Sequence, residues 1–336
     1  DMQRSTFTQS RGYTTTNTVD YAIWFHSGST FVGATFNFVD CTINSDRHGI
    51  FMWSNVYLSA GSTMLVKNSN LGGGCTGVGC AYIYDAVVIN LNGGHLDWRN
   101  DNKISGWGGV YIKAHLPLTN FEFNISLPSQ TNRITMDLKQ CTNCNILFND
   151  TTTYANLASK VSIASTEWID STVIVDQMNV QGSSLEIGVG GVSVWNRTTV
   201  LVTRSTIAQN MRLWHSDWRM EDSRMDITHT TSTGSYKIDV TTAMRACVIV
   251  ASDSTFGGVA SAVTAMLEAS EWQLQTVTVS LDSVWNGRVE ESSAVRFHDS
   301  DVHHTFYFQN IDFNNGILDM QRSTFTQSRG YTTTNT

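Results

Sequence analysis

Along most of the chain apolar side chains fall at every second position in short runs, among them FNFVDCTI, TMLVKNSNL, TVLVTRSTI, WRMEDSRM, AVRFHDSDV and ILDMQRSTF. An alternation of period two turns one side of an extended backbone to a core and the other to water, so each run predicts a β-strand. The runs share a longer pattern. Two apolar residues in alternate positions are followed, after two variable residues, by a small or polar one and then by another apolar residue. The apolar pairs include Phe36/Phe38, Met64/Val66, Val161/Ile163, Val200/Val202, Trp218/Met220, Val277/Val279, Val295/Phe297 and Leu318/Met320.

The small or polar position recurs at Cys41, Ser69, Asp101, Cys141, Thr166, Ser205, Ser223, Ser254, Asp282, Ser300 and Ser323, and at Ser5. Units this short cannot bury their own apolar faces, and stacking them into a solenoid buries all of them. The expected fold is all-β, a single-stranded parallel β-helix of about eleven coils. In each coil the apolar pair faces the core, the small residue turns a corner, and the next apolar residue re-enters. Small residues are expected there because the same corner stacks on itself in every coil. An array of sandwich domains would also supply alternating strands, but the motif recurs far more often than once per sandwich.

A second regularity is an identity. Residues 1–18, DMQRSTFTQSRGYTTTNT, return unchanged as residues 319–336. Eighteen identical residues at one offset are not chance. They mark residues 1–318 as one repeat unit and 319–336 as the first coil segment of the next, expected to take up the same conformation one axial translation on. On this reading the sequence is a window within a longer tandem chain, whose partners are the preceding and following copies, end to end.

Composition narrows the classes of function. Only 15% of residues are charged and the net charge is −8, so there is no basic footprint for nucleic acid. With 41% hydrophobic residues, 15 Phe and 10 Trp, the chain can bury enough surface to offset its entropy, which argues against disorder. The aromatic-rich stretches AIWFHSG, IFMWSN and TFYFQNIDF are expected to fill the solenoid interior, an exposed carbohydrate platform being the other use of such rings. No apolar run approaches the roughly 18 residues of a bilayer span.

The strand, corner, strand pattern with Ser, Cys or Asp at the corner, as in LDMQRSTF and VRFHDSDV, resembles that of right-handed parallel β-helix proteins. These are the pectin-lyase-like group, which includes bacterial surface autotransporters and polymorphic outer-membrane proteins. The resemblance implies an extracellular or cell-surface structural filament, stalk or adhesin shaft, with a polysaccharide-binding or polysaccharide-cleaving β-helix as the alternative. Cleavage in polygalacturonase-like relatives implies paired carboxylates across the glycosidic bond. Here NSD (44–46), RHG (47–49) and RIT (133–135) occur without an Asp-Asp pair, so neither enzymatic activity nor a cofactor is expected.

Three further sets of residues are candidates for chemistry. Cys75 and Cys80 (GGGCTGVGC) and Cys141 and Cys144 (CTNC) match the paired spacing of a four-thiolate zinc site. In an extracellular chain disulfides are the commoner outcome, with Cys75–Cys80 bridging a loop and Cys141–Cys144 closing a strained two-residue loop. Cys41 and Cys247 read as small buried hydrophobes. Asn124, Asn149 and Asn196 head glycosylation sequons, Asn149 in a polar loop being the favoured glycan acceptor. In HDSDVHH, Asp299, Asp301 and His303 would share one face of a regular strand and together could hold a divalent cation. A solvated outer face is the plainer reading of the same residues.

Overall fold

The computed structural model describes most of residues 110–326, short connections aside, and before them strand segments within 2–8, 21–25, 30–44, 48–52, 57–59, 63–72, 76–83 and 88–92. Ser5, Ser69, Asp101, Asp282, Cys75 and Cys80 lie outside the described residues. The described regular elements are β-strands, and the pairings between them are parallel from the first coil to the last. The fold is an all-β parallel β-solenoid.

Each coil visits four ladders in turn, and residues 172–198 serve as an example. Thr172–Asp176 lies on ladder 1, Asn179–Val180 on ladder 2, Leu185–Ile187 on ladder 3 and Val194–Asn196 on ladder 4. The next strand, Thr199–Thr203, then lies directly on Thr172–Asp176. Ladder 1 is the longest. Its equivalent residues are Met2, Phe38, Val66, Leu91, Ile125, Phe148, Val175, Val202, Ile227, Ala251, Leu274, Phe297 and Met320. Met2 and Met320, the same residue of the two eighteen-residue copies, are thus twelve steps apart among the described residues. At about 4.8 Å per step the unit advances about 58 Å.

The coil number therefore differs from the expected eleven, and coil length is uneven. Met2 and Phe38 are 36 residues apart, whereas Val248, Glu271, Ala294 and Ile317 stack at intervals of 23. The core is narrow and apolar. Ladder 1 contributes Val173, Val175, Val200, Val202, Met225 and Ile227, and ladder 4 contributes Leu118, Cys141, Trp168, Trp195, Met220 and Met244, all at most 1% exposed. Near the middle of the rod Phe121, Phe123 and Phe148 form a run of rings with successive centroids 6.2 and 6.1 Å apart.

Two corners flank ladder 1. At each, one residue takes a left-handed conformation, with φ between 46° and 63°. Glycine aside, on entry to ladder 1 these are Asn120, Asn143, Asp170, Arg197, Asp222, Ala246, Ser292 and Asn315; on exit they are Asp40, Gln177, Arg204, His229, Asp253, Thr276, Asp299 and Arg322. Half of the sixteen are Asn or Asp, the side chains that bear this backbone best after glycine. The left-handed residue still donates to a carbonyl of the next coil, as Asp170 does to Asn196 and Arg197 to Glu221, both at 3.0 Å.

Except at the last coil, the residue after it is buried, and at eight corners its N–H goes to a side-chain hydroxyl one coil on. On entry the N–H groups of Cys144, Thr198, Cys247 and Ser270 donate to the Oγ atoms of Ser171, Ser223, Ser270 and Ser293. On exit those of Met178, Thr230, Val277 and Ser300 donate to Ser205, Ser254, Ser300 and Ser323. All eight contacts are 3.0–3.3 Å long. The hydroxyl donates in turn to the carbonyl two residues before it, as from Ser171 to Ile169 (2.7 Å) and Ser205 to Thr203 (2.8 Å). The corner carbonyl receives the N–H that opens the next strand, as Ser171 does from Thr199 at 2.9 Å. The buried N–H, the hydroxyl and the corner carbonyl described here are thus each paired, as burial demands.

Several expectations need correction. Cys41, Ser205, Ser254, Ser300 and Ser323 stand at the exit corner, but Ser223 belongs to the entry corner. Cys141 turns no corner: it lies within ladder 4, fully buried between Leu118 and Trp168 in register. Thr166 is exposed beside the ladder 4 strand Glu167–Ile169. The period-two pattern reads alike on every ladder, so the sequence does not say which change of strand is a corner. Nor is small volume the rule, since buried Phe121, Met178 and Val277 hold corner positions. What the hydroxyl residues supply is an acceptor for the N–H of the preceding coil.

Replacing Ser254 by Ala strands the Thr230 N–H and is expected to cost about 1–3 kcal/mol. Replacing its exposed neighbour Thr255 by Ala is expected to stay within about 0.5 kcal/mol. The two urea-unfolding midpoints, measured side by side, check this.

Candidate functional site

Parallel in-register stacking places the outward side chains of equivalent positions one coil apart, and at the corners this produces columns of polar pairs. Asn143 Nδ2 donates to Asn120 Oδ1 at 2.5 Å. Arg197 holds Asp170 with contacts of 2.5 and 2.9 Å, and Arg204 holds Asp176 with 2.9 and 2.5 Å. The Asp170 carboxyl is lowered chiefly by its hydrogen bond from Arg197.

The most connected set lies where the second copy of the eighteen-residue segment begins. The 23-residue coil brings Arg296 opposite Asp319 and His298 opposite Gln321 on ladder 1. Asp319 Oδ2 accepts from Arg296 Nη1 at 3.1 Å and lies 3.1 Å from His298 Nε2, while Gln321 Nε2 donates to Oδ1 at 3.1 Å. Arg296 Nη2 reaches back to Glu271 at 3.4 Å, so Glu271, Arg296 and Asp319 tie three successive coils. At the adjoining corner Arg322 grips Asp299 with contacts of 2.6 and 2.8 Å. His298 first, then Gln321 and Arg296, hold the Asp319 carboxyl below its ordinary range. Arg322 does the same for Asp299, and its own guanidinium is pushed up in return. Asp319, Gln321 and Arg322 belong to the repeated segment, as Asp1, Gln3 and Arg4 do in the first copy. The set is a junction by which the repeated segment holds the coil before it.

The residues proposed for other chemistry do not converge. Asp299 occupies a left-handed corner, which breaks the strand alternation, so it does not share a face with Asp301 and His303. Those two are exposed on either side of buried Val302. Among the described residues no group of three or more His, Cys, Asp or Glu side chains is placed to hold a metal ion.

Cys141 and Cys144 are buried free thiols rather than a disulfide. The left-handed turn at Asn143 leaves Cys141 on ladder 4 and puts Cys144 in the entry corner, where its Sγ lies 3.8 Å from the Thr142 carbonyl oxygen. Burial, then Cys144, pushes the Cys141 thiol well up, and burial raises Cys247 to about 11. Cys41 is likewise a buried free thiol.

Of the sequon asparagines, Asn149 ends the ladder 1 strand Asn145–Asn149 rather than sitting in a loop, and Asn124 lies in the strand beside it. Asn196 Oδ1 accepts from Arg197 Nη1 at 3.1 Å, and the hydroxyl of its sequon partner Thr198 is locked in the entry corner. The junction residues Arg296, His298, Asp319 and Arg322 were not singled out from sequence. The signal that finds them is the constant offset of 23, legible only once the coil length is known.

The lowered carboxyls of Asp299 and Asp319 stabilise the junction above the unfolded carboxylate range of about 4, and this contribution is lost as pH falls through their lower folded values. Amide exchange of residues 317–326, corrected for intrinsic rates, is therefore expected to quicken between neutral and strongly acidic pH by more than that of residues 248–252. In the folded chain at neutral pH, Cys141, Cys144 and Cys247 are expected to resist alkylation and to react once denaturant is added, as peptide mass mapping would show. No protein-family model, curated protein or solved structure matches this chain.

Proposed function

We propose that this protein is a structural rod, an extracellular or cell-surface filament, stalk or adhesin shaft of the pectin-lyase-like, autotransporter-like kind, built from tandem copies of the 318-residue unit. The observation that carries the reading is the placement of the two identical segments. Met2 and Met320 share ladder 1 at twelve steps' separation. Phe7 and Phe325, the same residue of the two copies, both lie in paired strands, the first opposite Ile43 and the second opposite Val302. A unit that ends in the register in which it begins can be continued by another without a break in its ladders.

The function so read is mechanical and spatial. Successive coils are joined along the axis by backbone hydrogen bonds on several ladders at once, so axial load is shared among them rather than borne by one contact. The repeat acts as a unit of length, and copy number sets how far a terminal domain stands from its anchor. Outward threonines such as Thr206, Thr231 and Thr255 keep the surface hydrated, and glycans on exposed asparagines would add to that.

The chain isolated from its natural source is expected to run far above 37 kDa under reducing, denaturing conditions. In electron micrographs each further unit is expected to lengthen the rod by about 58 Å. A single band near 37 kDa would rule out the covalent array.

A further inference from the structure

The outward side of ladder 1 carries an apolar stripe at mid-rod. In register, the middle outward positions of successive strands are Asn124, Leu147, Ile174, Leu201, Asp226 and Val250. Leu147, Ile174 and Leu201 are half-buried, whereas the core residues beside them in the same strands, such as Val173 and Val175, are at most 1% exposed. Three aliphatic side chains in consecutive coils make a ridge about 10 Å long on the solvent side of the sheet, the kind of surface that marks an interaction site. The strand of Ile174 lies midway between Met2 and Met320 on the ladder, six steps from each, so neither end of the unit adjoins the ridge. Charge is placed symmetrically about it. In the first outward column Glu122 stands two strands before Thr172, and Arg224 two strands after. Glu122 is half-buried and Arg224 is 52% exposed.

We propose that two copies of this chain pair side by side and antiparallel through the outward face of ladder 1, with a two-fold axis running along the strand Thr172–Asp176. That axis sets Ile174 against Ile174 of the second copy, Leu147 against Leu201, and Arg224 against Glu122, the last two pairs each made twice, as an isologous contact requires. The other two-fold arrangement lays the rods parallel. It sets Arg224 against Thr228 and Glu122 against Ser126, and gains no opposite charges. In each arrangement one aspartate meets its own copy, Asp176 in the antiparallel and Asp226 in the parallel, with an arginine of its own chain already bonded to it. The Arg224–Glu122 pairs therefore select the antiparallel form, and covering the ridge is the driving force. The five strands concerned span about 19 Å along the axis and about 17 Å across, well below the roughly 800 Å² per partner of a stable interface. One unit thus pairs weakly, and in a rod of several units the contact recurs every 58 Å or so and strengthens by multivalency. The inference does not need covalent tandem units, so the mass measurement above and the test below fail independently.

The test is oxidative trapping of the 336-residue chain with copper phenanthroline. Asn124 and Asn149 stand on this face by register, so the chain is made in a host that adds no N-glycans. Peptide mass mapping identifies each bond and separates it from any made by the native cysteines. A mixture of Leu147→Cys and Leu201→Cys chains is expected to give the 147–201 intermolecular bond about fivefold or more above the 147–147 and 201–201 bonds. Arg224→Glu or Glu122→Arg in both chains is expected to lower that yield about fivefold, because two ion pairs are lost, and the two reversals together are expected to restore it. Circular dichroism checks that the variants keep their strand content. If a single reversal does not fold, the doubly reversed chain and the pattern of cysteine pairing still decide. The proposal is overturned if the 147–201 bond forms no faster than a bond between chains carrying Thr255→Cys, an exposed position off this face, or if the 147–147 and 201–201 bonds match it. It is overturned equally if folded single reversals leave the yield unchanged, or if the double reversal fails to restore it.

Discussion

A β-solenoid has to turn its chain beside the core, and the turn brings a backbone N–H into the interior. At the corners flanking ladder 1 the left-handed residue keeps its own bond along the axis, as Asp170 and Arg197 do, while the residue after it, Ser171 or Thr198 for example, is buried with an N–H to satisfy. An orphaned buried N–H costs about 1–3 kcal/mol. At eight corners the answer is borrowed from the next coil, where a serine hydroxyl accepts that N–H, as Ser223 does from Thr198 before donating to the Glu221 carbonyl of its own coil. Serines such as Ser270 and Ser293, both wholly buried, are thereby explained without a binding or catalytic role.

This dependence runs one way along the rod. Thr198 relies on Ser223, Cys247 on Ser270, and Ser270 on Ser293. Cys247 fills the same role with sulfur, receiving the backbone of Ser223 and donating to the Arg245 carbonyl. A coil is therefore incomplete without the one after it, beyond the nearest-neighbour burial that all solenoids share. The junction obeys the same rule, since Ser300 depends on Ser323, a residue of the repeated segment. The ion pairs on the solvent side of the corners, Asp170 with Arg197 and Asp299 with Arg322, are exposed. They follow from register rather than create it, as solvated pairs of this kind contribute little to stability.

Much of the strand content was legible, because alternation is a local property: Val200/Val202 and Val295/Phe297 face inward as their spacing requires. Ser205, Ser254 and Ser300 were legible as corner residues because each follows such a pair. Ser171, Ser270 and Ser293 do the same work and were missed, as were the corner residues Thr198 and Thr230, whose hydroxyls donate to the carbonyls two residues before them. The entry corner follows short strands of ladder 4 with one buried residue each, such as Trp168 or Trp195, and there the pattern is too brief to stand out. Cys141 and Thr166 were misplaced for the converse reason, since apolar pairs also precede changes of strand that are not corners. The pairing of Cys141 with Cys144 failed because a left-handed residue between them sends the two side chains to different parts of the coil.

By itself the sequence determined that the chain is β, that its strands have one apolar side, and that residues 1–18 and 319–336 are equivalent, because alternation and identity need no knowledge of what lies beside them. Only the tertiary structure decided that there are two corner columns, that twelve steps separate the copies, and that Arg296 and His298 meet Asp319. Those contacts join residues 21 to 36 positions apart. Which residues meet across such a gap depends on the length of each intervening loop and on left-handed residues that reset the alternation, and neither is encoded in the local pattern.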